Sequence, residues 1–349
     1  MPIKVLVVDD SALIRQVLSR IINEDPEIEV IGFARDGVEA LDKIIALKPD
    51  VVTLDIEMPR MNGLECLGKI MNTSPLPVII VSYLAVEGAE HTLAALELGA
   101  VEFVTKPSST DPDAISTIQN ELTQKIKISA TIPHAKLKTT HIGRPVTLEK
   151  PIPPVKVTNP AGIQVIAIGA STGGPRTLSY LLESFPKDFP LGIVVAQHMP
   201  KGFTKVFASR LNERCEMEVI EAQTGDVIKP GRILIAPSGY QTKVVKKHQS
   251  LEVEVFDQPN LLFKPSVDLL FKSIALTCRD KALAVILTGM GSDGAAGMKE
   301  LRSLGARTIA EAEESCVVYG MPRTAVEMGA VEYIDNLSNI FNRMIDILS

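Results

Sequence analysis

Three residues after position 160 have the side chains needed for nucleophilic catalysis: Ser171, His198 and Asp293. A serine hydroxyl is a weak nucleophile until an imidazole accepts its proton. A carboxylate on the second ring nitrogen fixes the histidine tautomer and stabilises the imidazolium. Ser171 lies in the stretch Gly-Ala-Ser-Thr-Gly-Gly-Pro, a turn that presents a serine or holds a phosphate at a helix N-terminus. Alone, this stretch is a weak signal.

The segments before these residues predict that all three side chains lie at one edge of a sheet. Apolar runs typical of buried strands cover residues 165–168, 193–196 and 282–287. Each candidate residue comes just after one of these strands. Because the carboxyl ends of parallel strands meet at one edge, we expect a nucleophile, a base and an orienting carboxylate to converge there. The other histidine of this half, His248, falls in a predicted hairpin turn between 241–245 and 251–256 and is expected to be exposed.

Other interpretations of the same residues remain. His198 could be a structural histidine, and Asp293 could only cap a helix predicted over 295–304. A dinucleotide site fits less well, because Ser171 stands where a second glycine is needed and Gln197-His198 follows the second strand instead of an acidic residue. The chain order Ser, His, Asp also differs from the order in α/β-hydrolases, chymotrypsin and subtilisin.

A second group of chemically active residues lies in the first 124 residues. Strands are predicted over 4–8, 29–34, 51–54, 78–82 and 102–105, separated by helical patterns, which indicates a parallel sheet wrapped by helices. The residues at the strand ends are Asp9, Asp10, Asp55, Ser82 and Lys106. Three carboxylates at one edge repel one another unless a cation such as Mg²⁺ lies between them. With a lysine and a hydroxyl beside them, they suit phosphoryl transfer onto a carboxylate, although each aspartate alone could be a helix cap.

Composition limits the remaining possibilities. The 349 residues suffice for two domains, and we expect an α/β class for both. A net charge of −6 and the absence of tryptophan argue against nucleic acid as a partner. The four cysteines are scattered, and no signal peptide or long apolar stretch is present, so we expect a cytoplasmic protein that does not insert into membranes. The proline- and lysine-containing stretch 125–160 is predicted to be a linker.

The first 124 residues resemble the receiver domains of two-component response regulators. The motifs that carry the resemblance are Val-Val-Asp9-Asp10-Ser11, Leu-Asp55-Ile-Glu-Met-Pro59, Asn62-Gly63, Val-Ser82 and Thr105-Lys106-Pro107. The resemblance implies a flavodoxin-like fold with a five-stranded parallel sheet. It also implies phosphorylation of Asp55 by a chemotaxis histidine kinase.

The same resemblance implies roles for further residues. Mg²⁺ would be held by Asp9, Asp10, Asp55 and the backbone carbonyl of Glu57. Ser82 and Lys106 would contact the phosphoryl group, and Lys106-Pro107 would be a cis peptide. Phe103 stands at the position of the aromatic switch, where many relatives carry tyrosine, so the switch here lacks a hydroxyl.

Residues 161–349 resemble the methylesterase domain of CheB-type chemotaxis regulators. The motifs are Gly-Ala-Ser171-Thr-Gly-Gly-Pro, Gln-His198-Met-Pro, Ala-Pro237-Ser-Gly-Tyr and Thr-Gly-Met290-Gly-Ser-Asp293-Gly. The resemblance implies a doubly wound α/β domain with an antiparallel hairpin. Its implied activity is hydrolysis of glutamyl methyl esters, and deamidation of certain glutamines, on the cytoplasmic domains of chemoreceptors.

By this match Ser171 is the nucleophile, His198 the base and Asp293 its partner. The backbone N–H groups of Thr172 and Met290 would form the oxyanion hole. The esterase needs no cofactor, the chain is expected to be a monomer, and phosphorylation of Asp55 would activate the esterase. Two rival hypotheses are a response regulator with an inert or DNA-binding output domain and a dinucleotide-dependent oxidoreductase.

Overall fold

The chain divides into two compact units, Met1–Lys150 and Pro151–Ser349, which we describe separately. The structure is a computed structural model, and it describes residues 1–83, 86–106, 112–138 and 158–349. Pro107 and most of the predicted linker lie outside the described residues, as does the predicted cis bond before Pro107. Within these described ranges, no helix combines the length and the apolar character that crossing a membrane would require.

The N-terminal unit is built on a five-stranded parallel sheet. Its strands are β1 (Ile3–Val8), β2 (Ile28–Ala34), β3 (Val51–Leu54), β4 (Val78–Ser82) and β5 (Glu102–Thr105). Their order in the sheet is β2-β1-β3-β4-β5. This order is that of flavodoxin-like folds, so the predicted fold class of this half is confirmed. Each strand lies within one residue of its predicted bounds because apolar runs such as Val5–Val8 are buried on both faces.

Helices cover the faces of this sheet. They are α1 (Ala12–Asn23), α2 (Gly37–Leu47), α3 (Gly63–Thr73), α4 (Val86–Leu98), α5 (Pro112–Ala130) and α6 (His134–Lys138). Ser11 caps α1 as predicted, because its side chain accepts a hydrogen bond from the Ile14 N–H. The caps of α1 and α3, Ser11 and Asn62, follow β1 and β3, the strands that lead to Asp9, Asp10 and Asp55, whereas Asp36 caps α2 after β2.

The first part of the predicted linker 125–160 differs from the structure. Helix α5 continues to Ala130 and α6 follows it, so the first part of the predicted linker 125–160 is helical. The physical reason is burial: Leu122 and Ile126 are both 0 % exposed and pack in the core beside α1. Lysines within α5 pair with acidic neighbours, as Lys125 does with Glu121, so their charges do not oppose the helix.

The C-terminal unit contains a seven-stranded parallel sheet and a separate hairpin. The strands are β6 (Val165–Ala170), β7 (Gly192–Gln197), β8 (Glu218–Glu221), β9 (Arg232–Ile235), β10 (Gln241–Lys247), β11 (Ser250–Phe256), β12 (Ala282–Ile286), β13 (Arg307–Glu311) and β14 (Tyr333–Asp335). The sheet order is β14-β13-β12-β6-β7-β9-β8, and β10-β11 is the predicted antiparallel hairpin. The strand order reverses at β6, which is the position where open α/β sheets bind ligands.

Helices flank this second sheet. They are α7 (Gly174–Leu182), α8 (Phe203–Arg214), α9 (Val267–Cys278), α10 (Ala295–Ser303), α11 (Met321–Glu327) and α12 (Leu337–Leu348). The three central strands, β12, β6 and β7, are buried throughout. They therefore form a rigid base for residues at their carboxyl ends. His248 lies in the exposed turn of the hairpin, as predicted.

Candidate active site and phospho-acceptor site

Ser171, His198 and Asp293 meet at the carboxyl ends of the three central strands. Ser171 follows β6 directly, His198 follows β7 directly, and Asp293 ends the loop between β12 and α10. The His198 ring bridges the other two: Nδ1 lies 3.1 Å from Ser171 Oγ, and Nε2 lies 2.8 Å from an Asp293 carboxylate oxygen. Both distances are within hydrogen-bond reach, so the three side chains form one continuous chain of proton donors and acceptors.

The two ring nitrogens have distinct roles. An ionised carboxylate only accepts hydrogen bonds, so Nε2 carries the ring proton and donates a hydrogen bond to Asp293. In the neutral ring, Nδ1 is then unprotonated and accepts a hydrogen bond from Ser171 Oγ. This arrangement makes Nδ1 the basic atom, in contrast to the serine protease template, in which Nε2 faces the serine.

The Asp293 carboxylate is held at the N-terminus of α9. It accepts hydrogen bonds from the Ser266 hydroxyl at 2.9 Å, the Val267 N–H at 2.7 Å and the Asp268 N–H at 3.0 Å. Burial by itself would raise the pKa of Asp293, but the His198 hydrogen bond and these backbone donors bring the pKa below its usual value. The group therefore stays ionised near neutral pH and is fixed in orientation.

The segment before α9 also positions the histidine. The Phe263 ring stacks on the His198 ring with centroids 4.3 Å apart and an interplanar angle of 3°. Buried Gln241 holds this segment, because its amide nitrogen donates to the Phe263 carbonyl and its oxygen accepts from the Ser266 N–H. Phe263 therefore packs on one face of the His198 imidazole, and Asp293 holds its Nε2 edge through a hydrogen bond.

Gln197 links Ser171 and His198. Its side-chain nitrogen donates to the backbone carbonyls of Ser171 and His198, both at 2.9 Å. The residue is 1 % exposed, and its side-chain oxygen has no hydrogen-bond partner within the described ranges. Sequence analysis missed Gln197, Ser266, Phe263 and Gln241 as supporting residues. The only sequence signals for them were the position of Gln197 beside His198 and the Ser266-Val-Asp268 cap pattern before an apolar helix.

Of the two predicted oxyanion donors, Thr172 follows Ser171 in sequence and Met290 lies in the loop after β12. Gly289, next to Met290, approaches closely in space: a Cβ added to Gly289 would lie 2.8 Å from Ser171 Cβ. The Thr288 hydroxyl donates to the Thr172 carbonyl and thereby joins the two loops. A side chain at position 289 would therefore clash with Ser171.

In the N-terminal unit, Asp9, Asp10 and Asp55 come together at the strand ends. One ligand oxygen from each of them lies within 4.8 Å of the others. Lys106 is 6 % exposed, and its Nζ lies 2.7 Å from Asp55 and 2.8 Å from Asp9. Ser82, also buried, is the last residue of β4 and lies at the same edge of the sheet. Its carbonyl accepts a hydrogen bond from the Lys106 N–H. The structure thus brings the predicted phosphorylation residues into one site.

The electrostatics of this site suit a cation. Burial, with the Asp9 carboxylate adding to it, raises the pKa of Asp55 to about 6 despite the opposing effect of Lys106. The pKa of Lys106 stays raised, although burial lowers it, because Asp55 and Asp9 stabilise its charge. The buried Asp9 oxygen that faces Lys106 has the Lys106 ammonium 2.8 Å away. Two buried carboxylates and an exposed third match the oxygen ligands that Mg²⁺ prefers. The Glu57 side chain is exposed.

Phe103 lies on β5 and is 3 % exposed, with its ring inside the unit. The Lys125 ammonium lies 5.4 Å from the ring centroid, and its Nζ donates to the Phe103 carbonyl at 2.6 Å. Lys125 thereby connects the predicted switch residue to α5, the helix whose extent the sequence did not predict.

The Asp55 pKa gives a pH-dependence prediction. Only the ionised carboxylate attacks phosphorus, and a group with a pKa near 6 is mostly protonated below that pH. At low Mg²⁺ concentration, we expect the rate of labelling by a small-molecule phosphodonor to fall about tenfold for each pH unit below 6. Raising the Mg²⁺ concentration should lower the pH at which the labelling rate is half its maximum, because the cation competes with the proton for Asp55. The measurement is labelling at a series of pH values from about 4.5 to 8, followed by gel electrophoresis that separates the phosphorylated chain. A rate that is flat down to pH 5 at low Mg²⁺ would contradict it.

Two family models match the chain. One, described as CheB methylesterase, matches residues 166–344, and the other, described as response regulator receiver domain, matches residues 5–118. The first of these ranges covers about half of the chain and contains Ser171, His198 and Asp293; the second contains Asp9, Asp10, Asp55, Ser82 and Lys106.

Individual relatives are similar over the whole length. A protein from Syntrophotalea carbinolica named protein-glutamate methylesterase/protein-glutamine glutaminase is 46 % identical, over 99 % of this chain and 98 % of its own. A protein of the same name from Sulfurimonas denitrificans is 47 % identical over 100 % of this chain and 99 % of its own. Among solved structures, the CheB methylesterase catalytic domain of Thermotoga maritima is 38 % identical, with a TM-score of 0.51, over 53 % of this chain and 98 % of that one.

Proposed function

The chain belongs to the CheB methylesterase family, and we propose that it hydrolyses glutamyl methyl esters with Ser171, His198 and Asp293 as its catalytic residues. It is a hydrolase of chemotaxis with a receiver domain that regulates it. The observation that carries the proposal for the site is the His198 ring, which lies within hydrogen-bond distance of both Ser171 Oγ and the Asp293 carboxylate. The proposed substrates are the cytoplasmic domains of methyl-accepting chemoreceptors.

In the first step, Ser171 Oγ attacks the carbonyl carbon of the ester while His198 Nδ1 takes the hydroxyl proton. The new O–C bond places a negative charge on the former carbonyl oxygen. The backbone N–H groups of Thr172 and Met290 stabilise this charge in our proposal, supported by the close approach of the two loops at Gly289. Collapse breaks the bond to the methoxy oxygen, which receives the proton from Nδ1 and leaves as methanol.

In the second step, water replaces methanol and the same groups act in the same order. Nδ1 takes a proton from water, the hydroxide attacks the acyl-serine carbonyl, and Ser171 Oγ leaves with the proton from Nδ1. The product is the free glutamate carboxylate. A glutamine side chain follows the same route with ammonia as the leaving group, which accounts for the second activity in the relatives' name.

For regulation, we propose that a chemotaxis histidine kinase donates a phosphoryl group to Asp55. Asp9, Asp10, Asp55 and the Glu57 carbonyl would hold Mg²⁺, whose charge offsets that of the transferring group. Lys106 and Ser82 would contact the phosphoryl oxygens, and Phe103 would respond to the rearrangement of the strand ends. We further propose that the protein acts in the cytoplasm as a monomer and that residues 161–349 form the esterase domain.

Methanol release tests the activity and its regulation together. With methylated chemoreceptor membranes as substrate, we expect release from the full chain to rise about 5- to 150-fold when a small-molecule phosphodonor and Mg²⁺ are added. Asp55→Asn should abolish the rise because the acceptor carboxylate is gone. Asp42→Asn is the matched control, since Asp42 is an exposed aspartate on α2 away from the strand ends, and it should retain the rise.

The outcomes separate the candidate functions. No methanol from the wild-type chain under either condition would contradict the esterase proposal. Methanol release without any response to the phosphodonor would contradict only the proposed regulation.

A further inference from the structure

A cavity of about 570 Å³ adjoins the catalytic residues. Three segments form its walls: the hairpin β10–β11, the segment between β11 and α9, and the outer face of α9. We call it the α9 groove; its walls include Lys243, Phe256, Leu262, Leu269, Lys272 and Leu276. Asp293 also lines it, as does Phe263, whose ring stacks on His198. The groove is therefore continuous with the catalytic residues on the side away from Ser171.

The walls of this groove are apolar and exposed. Leu262 is 88 % exposed and Leu276 is 79 % exposed. On α9, Leu269, Lys272 and Leu276 follow the spacing of one helical face, whereas the opposite face, with residues such as Phe271, packs in the core. An apolar stripe of this kind beside an active site is typical of a surface that is covered when a partner binds.

The exposed charge at the rim of the groove is that of Lys272, although the whole chain carries −6. The two aspartates of the walls keep their negative charge, but Asp293 is buried and Asp268 is half-buried, and both accept hydrogen bonds from backbone N–H groups. Lys243 pairs with Glu254 at 2.9 Å across the hairpin. Lys272 is exposed and has no acidic partner in the part of the chain that the structure describes. An acidic partner is therefore favoured at this rim.

We propose that the α9 groove binds the part of the substrate protein next to the esterified glutamate, and that this part is an amphipathic helix with apolar side chains facing the groove and carboxylates beside them. The inference rests on the proposed function and specifies what the site recognises beyond the ester. Hydrolysis of each ester leaves a glutamate carboxylate, so a substrate with several modified positions becomes acidic at the edge where Lys272 lies. The exposed leucines accept the apolar face of the same helix.

Two variants of the full chain test the groove: Leu262→Ser removes apolar surface, and Lys272→Glu reverses the charge. The substrates are a methylated chemoreceptor cytoplasmic domain and a small ester, N-acetylglutamate γ-methyl ester, which is too short to reach the groove. We expect each variant to lower the ratio of kcat/KM for the receptor domain to kcat/KM for the small ester by about 10-fold, through KM. The wild-type KM for the receptor domain should rise with salt more steeply than that of Lys272→Glu.

Matched controls make the same chemical changes elsewhere. Ile334→Ser alters an exposed apolar residue on the edge strand β14, and Lys299→Glu reverses an exposed lysine on α10. Neither residue lines the groove, so both variants should keep the wild-type ratio.

Each other outcome has a defined meaning. An unchanged ratio in both groove variants, with an active wild-type chain, would overturn the groove proposal alone. Faster hydrolysis by the unphosphorylated Leu262→Ser chain at unchanged KM would also overturn the groove proposal, because this result would mean that the receiver unit covers the groove. A lower sedimentation coefficient for the groove variants would identify a second copy of the chain as the occupant and would also overturn it. A wild-type chain that cleaves neither ester would overturn the proposed function and this inference with it.

Discussion

Ser171→Ala is expected to reduce kcat for methanol release by about 10⁶-fold, the scale measured when a catalytic serine is removed from a serine hydrolase. The substitution removes the only atom that forms the acyl-enzyme, while the backbone hydrogen bond from the Ser171 N–H to the Thr288 carbonyl, at 3.0 Å, is unaffected. Fold and stability should therefore stay near wild type. The measurement is single-turnover methanol release together with a thermal melt.

Ser184→Ala is the matched control, because Ser184 is an exposed serine just past the C-terminal end of α7 and should leave kcat unchanged. The double variant Ser171→Ala with His198→Ala should be no slower than Ser171→Ala alone, since nucleophile and base act as one unit. A loss of less than about tenfold in Ser171→Ala, or a further large loss in the double variant, would show that another residue is the nucleophile.

Asp293→Asn should reduce kcat by about 10⁴-fold, with a small effect on KM. The carboxylate accepts four hydrogen bonds, from His198, Ser266 and the N–H groups of α9. An amide cannot accept all four, because its nitrogen donates. With that nitrogen facing His198, the ring proton moves to Nδ1, where it can no longer accept the Ser171 proton. With the nitrogen turned the other way, it opposes the Asp268 N–H. Steady-state kinetics on the small ester separates kcat from KM.

The control for Asp293→Asn is Asp268→Asn, which keeps an acceptor oxygen for the Gly297 N–H and does not contact His198. It should change kcat only a few-fold. Stability adds a second readout. Because the pKa of Asp293 is lowered in the folded state, its contribution to stability is present above the ordinary aspartate pKa near 4 and is lost as pH falls through the lowered value. The melting-temperature difference between wild type and Asp293→Asn should therefore narrow below pH 4. Equal kcat losses in the two asparagine variants would contradict the special role of Asp293.

The residues that we propose carry the chemistry could be selected from the sequence because they lie at strand ends. Buried parallel strands are continuous apolar runs, and the residue that follows such a run lies at the edge where ligands bind. Ser171 and His198 each follow a run directly, and so does Asp9. The family-level function and the fold class also follow from these motifs and are confirmed.

The supporting residues were not predictable because their roles depend on contacts between distant parts of the chain. Ser266 meets Asp293 across 27 positions, and Phe263, whose carbonyl accepts a hydrogen bond from Gln241, stacks on His198. Edge strands such as β8, Glu218–Glu221, carry mixed polar and apolar residues, so the sequence gives no strong strand signal for them. The helical start of the stretch 125–160 was not predicted, because lysines interrupt the apolar stripe of α5 that contains Ile126.

His198 presents Nδ1 to the nucleophile, and this has a consequence for how catalytic spacing is maintained. Nδ1 is the ring nitrogen nearer the main chain, so His198 reaches Ser171 from the position directly after β7. The His198 N–H continues the strand ladder by donating to the Ala170 carbonyl at 3.1 Å, just beyond the pairing of Ala170 with Gln197. Adjacent parallel strands are about 4.8 Å apart, and a slip of one residue would turn His198 to the opposite face. The distance from nucleophile to base is therefore set by strand register, so insertions can lengthen the loop that carries Asp293 but not the connection between β7 and the base.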